Sequence, residues 1–333
     1  MTGAHPAGPR RPWQRAEVPP NPDDLRPDDL RGDLTAVLDE VAAEARPLAE
    51  DDDEVAEPGA GPDRFALALC ELDGTDHVAG DADVGFPVQS VVKVFALAAA
   101  LQRVGEDVFR RVGVEPSGDP YDSLVQLERE HGVPRNPFIN AGAVVVCDVL
   151  VEATGSARAA TEAVTDLLSG LAGERLEPDA GVLEGERAGG SMNRAMAHLM
   201  RSFDNFTHPV DEVVDAYAEL CALTVTTRQL ARAARFLAND GVDPDSGERV
   251  LTEPLARRVN AVMMTCGTYD AAGQFAYDIG FPCKSGVDGA VMGDVPDRFG
   301  VCAWSPPLDA AGNSRAGRAA LHLLSERLGL SLL

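Results

Sequence analysis

Lysine is nearly absent from this 333-residue chain. Of its 29 Lys and Arg residues only Lys93 and Lys284 are lysine. Arginine cannot replace a lysine that must give up its proton, because the guanidinium stays charged. A drift toward arginine that spares two positions therefore singles those two out. Long apolar runs are missing as well. No stretch reaches the ~20 apolar residues of a membrane span. Residues 1–33 are polar and lack the apolar core of a signal peptide. A cytoplasmic protein with no membrane part is expected. Positive charge is scarce: the formal net charge is −25, which argues against nucleic acid and anionic lipid surfaces as partners. There is no Cys-x-x-Cys among Cys70, Cys147, Cys221, Cys266, Cys283 and Cys302. Buried free thiols are expected rather than a disulfide framework or a zinc site. The six histidines show no metal-ligand spacing, so neither metal nor cofactor is expected. No internal repeat is visible.

What is present centres on the stretch Phe86 to Leu97, FPVQSVVKVFAL, continuing through apolar residues to Leu101. Its Ala- and Leu-rich run predicts a buried helix. Positions i and i+3 share a helix face, so Ser90 Oγ and Lys93 Nζ can meet at its first turn. The free N–H groups of a helix start point at whatever binds there. Ser90-x-x-Lys93 has the form of the nucleophile motif of the penicillin-recognising enzymes, and Lys284-Ser285-Gly286 fits their Lys-Thr/Ser-Gly motif. Ser191-Met192-Asn193 supplies the intervening Ser-x-Asn. The chemistry of such a set is acyl transfer. Serine attacks a carbonyl, a lysine of lowered pKa takes its proton, and an oxyanion forms. Lys284 is expected to supply the positive charge that lowers Lys93.

Along the chain, residues 1–31 read as a disordered arm and Leu34–Ala49 as a helix. Glu50–Pro62 is an acidic loop. Phe65–Leu72 and His77–Gly80 read as strands around an Asp73-Gly74 turn. Gly113–Pro137 is rich in turn residues. Ala141–Thr154 reads as a helix, although Val144-Val145-Val146 also suits a strand. Helices are predicted over Ser156–Leu171, Asn193–Phe203, Pro209–Leu223, Thr227–Asn239, Leu255–Met264 and Ser314–Leu328. Strands are predicted over Phe275–Ile279, Ala290–Val295 and Phe299–Ser305. This is an α/β (α+β) pattern: an antiparallel sheet built from both chain ends, about 60–95 and 265–333, with a helical part over about 96–264, all in one domain over 32–333.

The stretches quoted above, with Val112–Pro120, Pro134–Ala143, Cys266-Gly-Thr-Tyr-Asp, Gly273-Gln-Phe-Ala and Trp304–Ser314, closely resemble the serine-dependent glutaminases. The resemblance runs from about Gly32 to Arg327. It implies the β-lactamase/transpeptidase-like fold, hydrolysis of L-glutamine to L-glutamate and ammonia, and a homodimer or homotetramer. It also implies roles. Ser90 is the nucleophile and Lys93 its base. Asn140, Glu186 and Asn193 hold the substrate, Tyr217 and Tyr269 flank the reacting centre, and the Val287 N–H joins that of Ser90 in the oxyanion hole. A carboxylate such as Glu186 suits the ammonium of a free amino acid, and amide donors such as Asn140 suit its carboxylate. On its own, Asn140 would equally cap the following helix, Glu186 would be a solvated charge, and Tyr217 a core residue. One departure stands out. Glu44 occupies the place of a substrate-contacting Tyr, so that contact is expected to be lost or taken over by Arg46. Two alternatives remain: another serine acyl hydrolase of the same fold, or a glutamine sensor without turnover.

Overall fold

Strands from the front of the chain and from its end pair directly with one another in a computed structural model that describes residues 34–49, 64–118 and 123–332. The expected arm over 1–31 and the acidic loop over 50–62 lie outside the described residues. The first hairpin is β1 (Ala66–Glu71) and β2 (Asp76–Gly80), turning at Asp73-Gly74 as predicted. The end of the chain supplies β5 (Cys283–Ser285), β6 (Ala290–Val295) and β7 (Phe299–Trp304). The sheet order is β2-β1-β7-β6-β5 and every pairing is antiparallel. Trp304 sits opposite Ala66 on one side and Ala290 on the other, and Lys284 sits opposite Met292. A separate two-stranded piece pairs β3 (Phe86–Pro87) with β4 (Thr224–Val225).

Helices fill the middle. They are α1 (Leu34–Ala45), α2 (Val92–Val104), α3 (Leu124–Arg129), α4 (Asn140–Thr154), α5 (Ala157–Ala172), α6 (Ala180–Gly189), α7 (Ser191–Ser202), α8 (Val210–Cys221), α9 (Thr227–Ala238), α10 (Glu253–Cys266), α11 (Ala272–Asp278) and α12 (Arg315–Leu328). Residues Val92 through Leu101 of α2 are all buried, as its run of apolar side chains requires. α9 starts on a capping box between Thr226 and Gln229 and packs on β1, β6 and β7. α12 covers the same three strands from Arg315 onward. The Val144–Val146 run lies inside α4 and is buried. The six cysteines are free and buried. Among the described residues no helix is long and apolar enough to cross a membrane.

Phe275–Ile279 is not a strand: it falls in and just after α11. Alternation would have buried Tyr277 with Phe275 and Ile279, yet Tyr277 is 86% exposed while the other two are buried. With Ala272 buried too, the real spacing is three to four residues, which is helical. One short helix escapes the sequence reading: α3 lies within the stretch read as turn-rich and buries only Gln126 and Leu127.

Candidate active site

Ser90 lies just ahead of α2 in a 3₁₀ turn, Gln89–Val91, and is itself buried. The first backbone bond of that turn runs from Val91 N–H to Val88 O. The N–H groups of Gln89 and Ser90 precede it, and such groups have no acceptor within their own helix. Lys93 follows in the first turn of α2, 1% exposed. Its Nζ donates to Phe138 O at 3.1 Å and to Asn140 Oδ1 at 2.8 Å. Burial pulls the Lys93 ammonium down to about 8, against the opposing pull of Cys221, Cys147 and Glu186. The Tyr217 ring, on α8, lies under Nζ at 5.9 Å. Tyr217 is buried, which raises its hydroxyl well above the usual phenol range.

Asn140 opens α4 but does not cap it: Ile139 is the N-cap, without a side-chain bond. The loop ahead of it is organised by Asn136, which sequence reasoning missed. Asn136 Oδ1 accepts from the N–H groups of Phe138 and Ile139, and its Nδ2 donates to Glu115 O. That arrangement aims Phe138 O at Lys93. The Asn-Pro step at 136–137 was the available signal, since such steps start turns.

Lys284, on β5, is wholly buried, and its Nζ donates to Ser285 O at 2.5 Å. Tyr269 lies beside it, its ring centroid 4.7 Å from Nζ and its hydroxyl donating to Ser285 O at 3.4 Å. Burial first, then the Lys93 charge, hold Lys284 well below the ordinary lysine range. Lys93 is lowered first by its own burial, and positive charge on either lysine disfavours it on the other. Gly286 completes the contact between β5 and the Ser90 turn. A Cβ there would stand 3.3 Å from Val88 O and 3.6 Å from Gln89 Cβ, so Lys284-Ser285-Gly286 packs directly against Gln89–Val91.

Glu186 is reached from the same turn. Gln89 Nε2 donates to Glu186 Oε1 at 2.9 Å, a tie that no sequence signal identified. Six non-glycine residues among those described have positive φ. Four are Asp or His, which tolerate that region; the others are Gln89 (φ 46°) and Tyr269 (φ 55°). Both belong to this site, where strained backbone tends to collect. Glu186, Gln89, Phe86, Val287, Asp288 and Trp304 line one cleft of about 800 Å³. Asn193 stands on α7, one helix beyond Glu186, with Oδ1 buried and without a hydrogen-bond partner among the described residues. Such an atom is placed to meet a bound donor. Glu44 pairs with the C-terminal helix α12. It lies on the surface and accepts from Arg327 on α12 at 2.6 Å, and Arg46 is exposed.

A family model described as Glutaminase matches residues 58–333. The chain is 46% identical over 277 residues to a glutaminase of Methylobacterium radiotolerans, covering 81% of this chain and 88% of that one. It is 49% identical over 270 residues to a glutaminase of Caulobacter vibrioides, covering 81% and 87%. Among solved structures, a probable glutaminase of Bacillus subtilis superposes with a TM-score of 0.84 at 32% identity, over 90% of this chain and 97% of that one. Mglu in its glutamate form superposes with a TM-score of 0.84 at 39% identity, over 91% and 70%. The β-lactamase-like fold expected from the motifs is the fold observed.

Proposed function

The chain belongs to the glutaminase family, amidohydrolases acting on the side-chain amide of L-glutamine, and from that premise we propose that it works through an acyl-enzyme on Ser90 with Lys93 as base. The observation that carries this is the setting of Lys93. A neutral amine has two N–H donors and one lone pair. Phe138 O and Asn140 Oδ1 take two donors, and burial favours the neutral form. The lone pair is then left for the Ser90 hydroxyl proton. Ser90 Oγ attacks the amide carbon, and the oxyanion is met by the N–H groups of Ser90 and Val287. The C–N bond breaks, ammonia leaves with a proton returned from Lys93, and water hydrolyses the ester by the reverse proton path.

Glu186 binds the substrate ammonium, its carboxylate held by Gln89. Asn140, Asn193, Tyr217 and Tyr269 bind and orient the rest. The Lys284 amine, with Tyr269, keeps β5 and its oxyanion turn in place. The catalytic domain spans about 32–333. A cytoplasmic homodimer or homotetramer is the assembly that the family resemblance supports, and light scattering tests the oligomer.

The decisive experiment measures ammonia release from L-glutamine, with L-asparagine, N-acetylglutamine and nitrocefin alongside. Ser90→Ala and Lys93→Arg are each expected to lose about 10³-fold or more in kcat at unchanged circular dichroism. Wild-type turnover by either ends the Ser-Lys reading. L-asparagine and N-acetylglutamine are expected to be poor substrates, the first one methylene short and the second without its ammonium. Glu186→Gln is expected to raise KM for L-glutamine. Equal kcat/KM for L-glutamine and N-acetylglutamine would remove Glu186 from the ammonium site.

A further inference from the structure

We propose that Trp304 is a positioning residue of the acyl-transfer centre, holding the Val287 turn and the Ser90 turn in one fixed relation. The proposal rests on the Ser90 acyl-enzyme reading. Trp304 ends β7, is 1% exposed, and is paired on both sides, opposite Ala66 and Ala290, so its backbone is fixed from two strands. Its indole Nε1–H donates to Asp288 O at 2.9 Å and also reaches Asp288 Oδ2 at 3.3 Å. Its ring stacks on Phe86, centroids 4.7 Å apart and planes within 7°.

Each contact ends beside one half of the site. Asp288 is next to Val287 in the turn Gly286–Gly289, which is closed by Gly289 N–H to Gly286 O at 3.0 Å. A turn with glycine at both ends has little side-chain packing of its own to hold it. The indole bond to its third residue supplies that anchor, and Ser305 N–H to Gly289 O adds a second from the next residue of the chain. On the other side, Phe86 lies four residues before Ser90. The segment between them is pinned by Val88 N–H to Leu223 O at 2.8 Å. Trp304 thus touches both the strand leading to the nucleophile and the turn carrying the oxyanion donor. Oxyanion donors act only when preorganised, and supporting residues set that geometry.

Trp304→Phe keeps an aromatic stack on Phe86 and removes the N–H donor. It is expected to lower kcat about tenfold or more while KM stays within about twofold and the pH midpoint of kcat/KM does not move. A purely structural loss would instead raise KM together with the fall in kcat, because the Glu186 cleft shares the same lining. Where Trp304→Phe folds poorly, replacement of Trp304 by 3-benzothienylalanine puts sulfur in place of the N–H, keeps the bicyclic ring, and carries the same expectation. Wild-type kcat in the folded variant, or a loss that falls in KM, overturns the proposal. Ser90→Ala assayed in parallel separates the two readings. Turnover by Ser90→Ala overturns the acyl-enzyme itself, whereas an inert Ser90→Ala beside a fully active Trp304→Phe overturns only the part given to Trp304.

Discussion

Burial pulls the Lys93 ammonium down and pushes the Asp294 carboxyl up, each to about 8, from opposite ordinary values. Each is buried, and burial disfavours whichever form is charged. For Lys93 the consequence is catalytic. A base must be unprotonated, so kcat/KM for L-glutamine is expected to rise with pH up to about 8 and then level, as a pH-rate profile will show. For Asp294 the consequence is stability. Its Oδ2 accepts from Asn260 Nδ2 at 2.9 Å, while its Oδ1 and Asn260 Oδ1 are buried without partners among the described residues. Between 3.8 and about 8 the folded chain keeps a proton that the unfolded chain has released. Stability from this group is therefore present at low pH and lost as pH rises through that window. Asp294→Asn mimics the protonated acid. Its Tm is expected to match wild type near the acid end of the window and to exceed it by roughly 5 °C at pH 8 and above. Parallel thermal melts that never diverge would show the carboxyl to be ionised in the fold.

The packing of α4 on the loop before it decides where Phe138 O and Asn140 stand. Gly142 makes that packing possible, since a Cβ there would lie 1.9 Å from Asn136 O. Gly142→Ala must push the 136–139 loop away from α4, and overpacking of this kind costs about 1–3 kcal/mol. A lowered Tm is expected together with a fall in kcat, because Lys93 loses its acceptors; thermal unfolding and ammonia release measure the two. The pairing of α1 with α12 works the other way. Glu44 and Glu40 both accept from Arg327 on the surface. Exposed pairs contribute ~1 kcal/mol or less, so Glu44→Ala is expected to leave KM for L-glutamine within about twofold of wild type. A several-fold change would return Glu44 to the substrate site.

At the scale of the whole molecule, the sheet cannot be assembled from either end alone. β7 lies between β1 and β6, and α9 rests on all three. A chain ending at Gly280 keeps every helix from α1 to α11 but loses β5, β6 and β7. It leaves β1 paired only with β2 and uncovers the part of α9 that packs on β6 and β7. A two-stranded hairpin is marginal by itself. No cooperative thermal transition is expected from that truncation, and a sharp one in circular dichroism would mean that the helical part folds independently.

Several features were determined by the sequence alone. The scarcity of lysine marked Lys93 and Lys284, the apolar run fixed α2 as a buried helix, and the Asp73-Gly74 turn fixed the first hairpin. These are local facts, carried by residue type and spacing over a few positions. Phe275–Ile279 failed because five residues cannot distinguish a period of two from one of 3.6 without knowing which side is buried. The tie of Gln89 to Glu186 joins residues 97 apart in sequence, and that of Lys93 to Asn140 joins residues 47 apart. No spacing rule reaches so far. The lowered pKa values of both lysines are likewise tertiary, because they come first from desolvation by helices and strands distant in the chain. Sequence chose the chemical groups; the fold decided which are dry, which meet, and which, like Glu44, face water.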